Sequence, residues 1–207
     1  MADTLDILTL PEAKTAVNID ALNVDHDDEI AQHVTAISRI IDDECGPVVQ
    51  RTITAELHDA GGARIYLRYA PVASVTTLRE AAGSTITTLS SVAFGGTGDG
   101  YSLKDGVLSR RVGGRVASWS YGDTVEVTYV AGRYASTAAV DAKFKSAASA
   151  ILRRLWKREA GAWAQSPEWF EQLGGGDASP IGSGFFRVAK PIIDEMLWRE
   201  QSMPGVA

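Results

Sequence analysis

The sequence predicts an α+β protein in which a β-rich middle lies between helical ends. Apolar residues recur at helical spacing in residues 1–47, and the period becomes two in residues 48–131. A long helical pattern then fills residues 132–161, and shorter helical patterns follow in 162–207. We therefore expect an N-terminal helix pair, an antiparallel β layer, a long core helix, and a C-terminal helical arm that faces a partner.

Each of the two N-terminal helices has a recognisable start. Thr9–Glu12 places a hydroxyl at the cap, a proline in the first turn and a glutamate three residues on, which is the pattern of a capping box. Asp25 is predicted to cap the second helix, and Gly46 with Pro47 is predicted to end it. The apolar residues expected to form its buried stripe are Ile30, Val34, Ile37 and Ile41.

Strand patterns fill the middle of the chain. The clearest signal is Asp105-Gly106, because Asp-Gly suits the positive φ angles of a type I′ hairpin turn and would place Leu103 opposite Leu108. We expect one antiparallel sheet or a small barrel-like layer. The predicted strands are Val49–Leu57, Arg64–Tyr69, Val72–Glu80, a weaker region Thr85–Phe94, Tyr101–Lys104, Val107–Arg110 and a strand ending before Gly132.

The long helix follows the last strand. In that strand Val125, Val127 and Tyr129 alternate with polar residues, and Ser136 or Thr137 is predicted to cap the helix. We expect the helix to join the β-rich and α-rich parts in one core through the stripe Val140, Phe144, Ala147, Ile151 and Leu155. Beyond it we predict a short helix at 166–173, a glycine-rich connector at 174–184, and a last helix at 188–199 with Pro191 in its first position.

Charge is distributed unevenly along the chain. The net charge of the 207 residues is −6, but residues 1–46 contain eleven acidic and two basic residues. The remainder therefore carries a small positive net charge. This asymmetry indicates an acidic face and a neutral-to-basic face, which is either an ordinary solvated surface or a feature of stacking or ring assembly.

No pattern in the sequence indicates chemistry, so we predict no catalytic residue, no cofactor and no metal. His26 and His33 would lie about 10 Å apart along one helix, too far for direct ligation of one ion, and His58 lies in a strand. The glycine-rich loop 95–100 lacks the lysine and hydroxyl of a phosphate-binding loop. No apolar run approaches the roughly 20 residues that span a bilayer, so no membrane contact is expected.

Several basic residues lie near the end of the long helix, and two interpretations of them stay open. They can match the helix dipole while their stems cover apolar surface, or they can contact DNA phosphates or an acidic neighbouring subunit. Trp163 and Trp169 can be core residues or interface anchors. The basic residues are Arg153, Arg154, Lys157 and Arg158.

Six phrases in order resemble the head–tail connector (adaptor, or head completion) proteins of long-tailed bacteriophages. They are LTLPEAKTAVNID, HDDEIAQHVTAISRIIDDECG, YLRYAPVASVTTL, YSLKDGVLSRR, DTVEVTYVAGRY and SGFFRVAKPIIDEMLW, which are distributed along residues 8–198. The chain departs from the family pattern at Arg133, between Gly132 and Tyr134, and in the bulky segment 81–120.

The resemblance implies a structural protein of the virion neck, assembled in the host cytoplasm, with no catalysis. It implies a homo-oligomeric ring, typically of twelve copies, that docks beneath the portal protein, carries the next neck or tail-completion protein, and continues the DNA channel without sequence-specific binding. An acidic channel wall would repel DNA phosphates, and the candidates are Asp25, Asp27, Asp28 and Glu29. Candidate partner contacts, besides the basic residues and tryptophans above, are Phe185, Phe186, Ile192 and Trp198.

Two other functions stay open at this stage. A small-molecule enzyme could use a pocket in the β layer, and it would bring titratable groups together in one cleft. A DNA-binding module could use the basic end of the long helix, and its affinity would fall steeply with salt.

Overall fold

The computed structural model describes residues 3–93, 96–120, 122, 124–163 and 183–200, with side chains left out for 158–163 and 183–185. The chain divides into two compact units. The helical unit comprises Met1–Val49 and Tyr134–Ala207, and the β unit comprises Gln50–Arg133. Helices and antiparallel sheets are both present, so the predicted α+β class is confirmed.

The helical unit begins with two helices whose starts differ from each other. In α1 (Leu10–Ala16) the Glu12 amide donates to Thr9 Oγ1 and the Thr9 amide donates to the Glu12 carboxylate at 2.8 Å, which confirms the capping box. Helix α2 (Asp27–Cys45) has His26 at its N-cap with no side-chain capping bond, so the prediction that Asp25 caps it is wrong. Asp25 lies one residue before the N-cap position. The acidic residues of the first turn interact favourably with the helix dipole.

The long helix α3 (Ala142–Trp163) starts later than predicted. Ser136 and Thr137 belong to a separate 3-10 turn, and the Asp141 carboxylate accepts the Lys143 amide at 2.9 Å. The predicted stripe is buried, and it belongs to the apolar cluster of the helical unit. We expected α3 to unite strands and helices in one core; the strands instead have a core of their own.

The last helix, α4 (Ser183–Leu197), begins five residues before its predicted start. Pro191 therefore lies inside the helix and not in its first position, and Gly184, predicted to belong to a connector, lies in the first turn. The predicted helix at 166–173 and the connector up to residue 182 lie outside the described residues. The four helices of the described residues share one apolar core in which Phe144, Ile151 and Ile193 are fully buried.

The β unit contains two sheets where we expected one. The first has the order β1-β8-β3-β4 and is antiparallel throughout. Its central strand β8 alternates buried Val125, Val127 and Tyr129 with less buried residues, as predicted. The strands are β1 (Arg51–Asp59), β3 (Val72–Ala82), β4 (Thr85–Thr88) and β8 (Thr124–Ala131).

The second sheet is built around β6, which pairs antiparallel with three other strands. Asp105 and Gly106 have φ angles of +51° and +76°, and Leu103 lies opposite Leu108, so the predicted hairpin and its register are confirmed. A short strand, β7, was not predicted. The strands are β2 (Arg64–Tyr66), β5 (Gly100–Lys104), β6 (Val107–Val112) and β7 (Arg115–Ala117).

The core of the β unit is built around one large aromatic side chain. Trp119 is buried together with Leu78, Leu108 and Val127, and its backbone N–H donates to the Gly62 carbonyl at 2.8 Å. Arg110 lies over the Trp119 ring and pairs with Glu80 at 3.3 Å, so a cation and its carboxylate are held at the edge of this core.

Candidate interaction surfaces

The connection between α1 and α2 carries two exposed apolar side chains. Leu22 is 90% exposed and Val24 is 68% exposed, and the acidic residues Asp20 and Asp25 lie on either side of them. The Leu22 amide donates to Asp20 Oδ1 at 2.8 Å, and the Asp25 amide donates to Asn23 Oδ1 at 2.9 Å. These turn bonds order the segment 20–25, which we call the acidic-apolar loop.

The buried side chain of Lys14 binds the backbone of this loop. Lys14 Nζ donates to the Ala21 carbonyl at 2.9 Å and pairs with Asp27 at 2.8 Å. Because burying an ammonium group without partners costs several kcal/mol, these two contacts account for how Lys14 can lie inside the unit. Lys14 therefore ties the start of the loop to the first turn of α2. Nothing local in the sequence distinguishes Lys14 from a surface lysine, so this role was not predicted.

The four acidic residues predicted to face a channel have different surroundings. Asp25 and Asp28 are exposed. Asp27 pairs with Lys14, and Glu29 lies 3.1 Å from His26 Nδ1. A channel-facing role for all four stays a prediction, but Asp27 already has a structural partner within the chain.

The predicted basic cluster lies on the outer side of α3. Arg153, Arg154 and Lys157 are exposed, whereas Trp156 between them is half-buried and its ring meets His26 edge-on at 5.5 Å. Trp156 thus packs against the start of α2, as a structural residue would. Arg158 and Trp163 lie in α3 with side chains outside the described part, and Trp169 lies wholly outside it.

The C-terminal contact residues are divided between core and surface. Ile192 is only 6% exposed and packs in the helical core, so the structure corrects its assignment to a partner interface. Phe186 is exposed, Trp198 is 62% exposed with Arg199 stacked on its ring, and the Phe185 side chain is not described. Lys190 pairs with Glu44 at 2.6 Å, which fastens α4 to α2.

A cationic surface that we did not predict covers the outer side of the second sheet. Tyr66, Val107 and Lys104 are neighbours across β2, β6 and β5, and Arg64, Ser109 and Ser102 form the next row. Directly opposed residues point to the same side of a sheet. Arg111 shares this side, because its Nε donates to Ser102 Oγ at 2.9 Å. We call Arg64, Tyr66, Lys104 and Arg111 the cationic face.

The sequence contained a signal for this face. Arg64, Tyr66 and Arg68 alternate with Ile65 and Leu67, and in the structure the first three are exposed and the other two are buried. No aspartate or glutamate occurs within β2, β5, β6 or β7. The β unit as a whole has nine basic and seven acidic residues, so its net charge is +2 within a chain of net charge −6.

A cluster of polar side chains lies under the first sheet. The Tyr129 hydroxyl donates to Glu56 Oε2 at 2.7 Å, the Arg68 amide donates to Glu56 Oε1 at 3.0 Å, and His58 Nε2 lies 2.7 Å from the same oxygen. The Tyr69 amide donates to the Tyr129 hydroxyl at 3.2 Å. The cluster thus holds the segment after β2 against β1 and β8.

This cluster predicts an alkaline loss of stability. Burial, and next the hydrogen bond to Glu56, raises the pKa of Tyr129 well above its usual value. Above pH of about 10 the folded protein therefore keeps a proton that the unfolded chain releases. The contribution of Tyr129 to the free energy of unfolding is fully present below that pH. Above it, this contribution falls by up to about 1.4 kcal/mol per pH unit. In Tyr129→Phe this part of the slope should vanish in urea unfolding between pH 9 and 11. Tyr66→Phe, which removes an exposed hydroxyl, is the matched control, and an unchanged slope in Tyr129→Phe would contradict the assignment.

Within the described residues no group of three or more His, Cys, Asp or Glu side chains could hold a metal ion. None of the helices in that part of the chain combines the length and the apolar character needed to cross a bilayer.

Comparison with known proteins gives a match at the level of fold. No family model matches the sequence, and no curated protein matches it. Among solved structures, a chain in the neck of an empty GTA (gene transfer agent) particle, computed with C6 symmetry, superposes with a TM-score of 0.53 at 18% identity, over 90% of this chain and 89% of that one. A chain in the neck of a native GTA particle, computed with C12 symmetry, gives a TM-score of 0.43 at 17% identity, over 92% and 94% of the two chains.

Proposed function

We propose that the protein is a structural component of a phage-type neck, which forms a ring beneath the portal, extends the DNA channel and joins the head to the tail. The observation that carries this proposal is the fold shared with a chain of a particle neck over about nine-tenths of both chains. The ordered phrases that resemble head–tail connector proteins support the same function independently of the coordinates.

The surfaces of the molecule are consistent with a protein that functions by binding other subunits. Exposed apolar side chains occur on the acidic-apolar loop, on the cationic face and on α4, where they are available to partners. The helical unit contains 11 basic and 19 acidic residues, which gives it a net charge of −8 opposite in sign to that of the β unit. A ring built from heterologous contacts needs two different complementary surfaces on each copy, and opposite charges provide such a pair.

Copy number and neighbours are part of the proposal. The neck that contains the similar chain was computed with C6 symmetry, with which rings of six or twelve copies are compatible, and the resemblance to connector proteins favours twelve. The portal and the next neck or tail-completion protein would bind opposite ends of the ring, and DNA would pass through without sequence-specific contact.

The test is removal of the chain from the particle that carries it. We expect DNA-filled heads and unattached tails in electron micrographs, and expression of the chain in trans should restore joined particles. A reconstruction of the intact particle should place the chain in a ring next to the portal. Joined, infectious particles without the chain, or intact particles in which it is missing from the neck, would contradict the proposal.

A further inference from the structure

We propose that neighbouring copies of the chain bind one another by docking the acidic-apolar loop of one copy on the cationic face of the next. This inference rests on the proposed function, because it specifies the contact that would build the ring.

The cationic face has the composition of a docking surface for an acidic segment. Arg64 and Lys104 are exposed and have no ion-pair partner among the described residues, and Tyr66 lies between them at 64% exposure. Arg68, stacked on the Tyr69 ring, extends the same pattern beyond the end of β2. Tyrosine and arginine are among the residue types that are enriched at the centres of protein interfaces.

The acidic-apolar loop has the complementary composition. Its two most exposed apolar side chains, Leu22 and Val24, lie between the carboxylates of Asp20 and Asp25. Two exposed apolar residues in one short loop are costly to leave in water unless they meet another surface. On a copy of the cationic face, Leu22 and Val24 would cover Tyr66 and Val107 while the carboxylates meet Arg64 and Lys104. Asp25 would then lie in the contact between copies and not on the channel wall.

The loop is also ordered before it binds. The two turn hydrogen bonds and the contact from Lys14 to the Ala21 carbonyl hold its backbone within the free chain. A preordered segment loses less conformational entropy on association than a flexible one. Because the loop and the face are different surfaces of one chain, their contact is heterologous and can propagate from copy to copy around a ring.

Crosslinking in assembled particles tests the contact directly. In Leu22→Cys/Tyr66→Cys, oxidation should link copies into a ladder of multimers on a non-reducing gel, and reductant should return it to monomer. The control Leu22→Cys/Ile86→Cys places the second thiol on the other sheet, at a residue that is 70% exposed, and should stay monomeric. The native Cys45 is buried and is common to both variants.

The outcomes separate the inference from the function on which it rests. Particles that contain the chain in the neck but show no ladder would overturn the docking inference and leave the proposed function intact. Absence of the chain from the neck would overturn both. A band that is crosslinked within one chain runs as monomer and counts against the inference.

Charge reversal gives an independent readout. Arg64→Glu/Lys104→Glu and Asp20→Lys/Asp25→Lys should each lower incorporation into necks by about tenfold or more, since like charges in contact cost several kcal/mol. The quadruple variant, which restores opposite charges, should recover most of the incorporation, and Asp43→Lys, an exposed reversal on α2, should change it little. A different result would show that the cationic face binds nucleic acid and that the docking inference is wrong. In that case Arg64→Glu/Lys104→Glu would lose a salt-dependent binding to DNA, and Leu22→Cys/Tyr66→Cys would form no ladder.

Discussion

Replacing Trp119 by alanine is expected to lower the free energy of unfolding of the β unit by about 3–5 kcal/mol. Trp119 is among the largest fully buried side chains, and Leu78, Leu108 and Val127 belong to the same apolar cluster. Truncation removes the apolar contacts and leaves a cavity that strands held by ladder hydrogen bonds cannot close. Water admitted there would also reach the Arg110–Glu80 pair, which lies at the edge of the ring.

Comparison of Trp119→Phe with Trp119→Ala separates the effect of packing from the effect of the polar N–H group. The indole N–H of Trp119 is buried without a hydrogen-bond partner among the described residues, so Trp119→Phe removes an unsatisfied donor along with some volume. We expect that variant to lose much less stability than Trp119→Ala. Trp198→Ala, at an exposed tryptophan, should change the free energy of unfolding by less than about 1 kcal/mol.

Urea unfolding measures these differences, and amide hydrogen exchange locates them. In Trp119→Ala the amides of β3, β6 and β8 should exchange faster. If Trp119→Ala costs no more than Trp198→Ala, Trp119 is not the centre of the β core.

Sequence patterns predicted those features whose causes lie within a few residues. The capping box of α1, the Asp105-Gly106 hairpin and the alternation in β8 all depend on neighbouring positions, and the structure contains each of them. The buried stripe of α3 was readable for the same reason, since helical periodicity requires no knowledge of what covers it.

Features that depend on distant pairings were not predictable in this way. The separation of two sheets follows from pairing β2 with β6, across about forty residues, and no local signal selects that partner. Ile192 on α4 has an ordinary amphipathic spacing, which cannot tell a core contact from an interface. The cationic face was visible as an Arg-x-Tyr-x-Arg alternation, but only the register across β2, β6 and β5 adds Lys104 to it.

Replacing Lys14 by methionine is expected to lower the free energy of unfolding by about 2–4 kcal/mol. Methionine keeps the apolar stem but removes the ammonium group, so the Ala21 carbonyl and the Asp27 carboxylate both lose their donor. Breaking a buried pair from one side costs about 3–5 kcal/mol, and the partial access of water to Asp27 places the expected loss somewhat lower.

A double-mutant cycle with Asp27→Asn identifies the pair as the cause. Once Asp27 is neutral, loss of the ammonium group strands no charge, so the two substitutions together should cost less than the sum of their separate effects. Lys145→Met is the matched control, because Lys145 also meets a carboxylate, that of Glu12, at 2.7 Å but in a more solvated position. In Lys145→Met the free energy of unfolding should fall by about 1 kcal/mol or less.

The same substitution links stability to the proposed contact between copies. Lys14 lies beneath the loop, so Lys14→Met should loosen the turn around Leu22 without altering any exposed side chain of the loop or of the cationic face. Hydrogen exchange at the Leu22 and Asp25 amides should rise, and crosslinking through Leu22→Cys/Tyr66→Cys should fall in the Lys14→Met background. Additive effects of Lys14→Met and Asp27→Asn, together with unchanged exchange in the loop, would show that Lys14 does not order this surface.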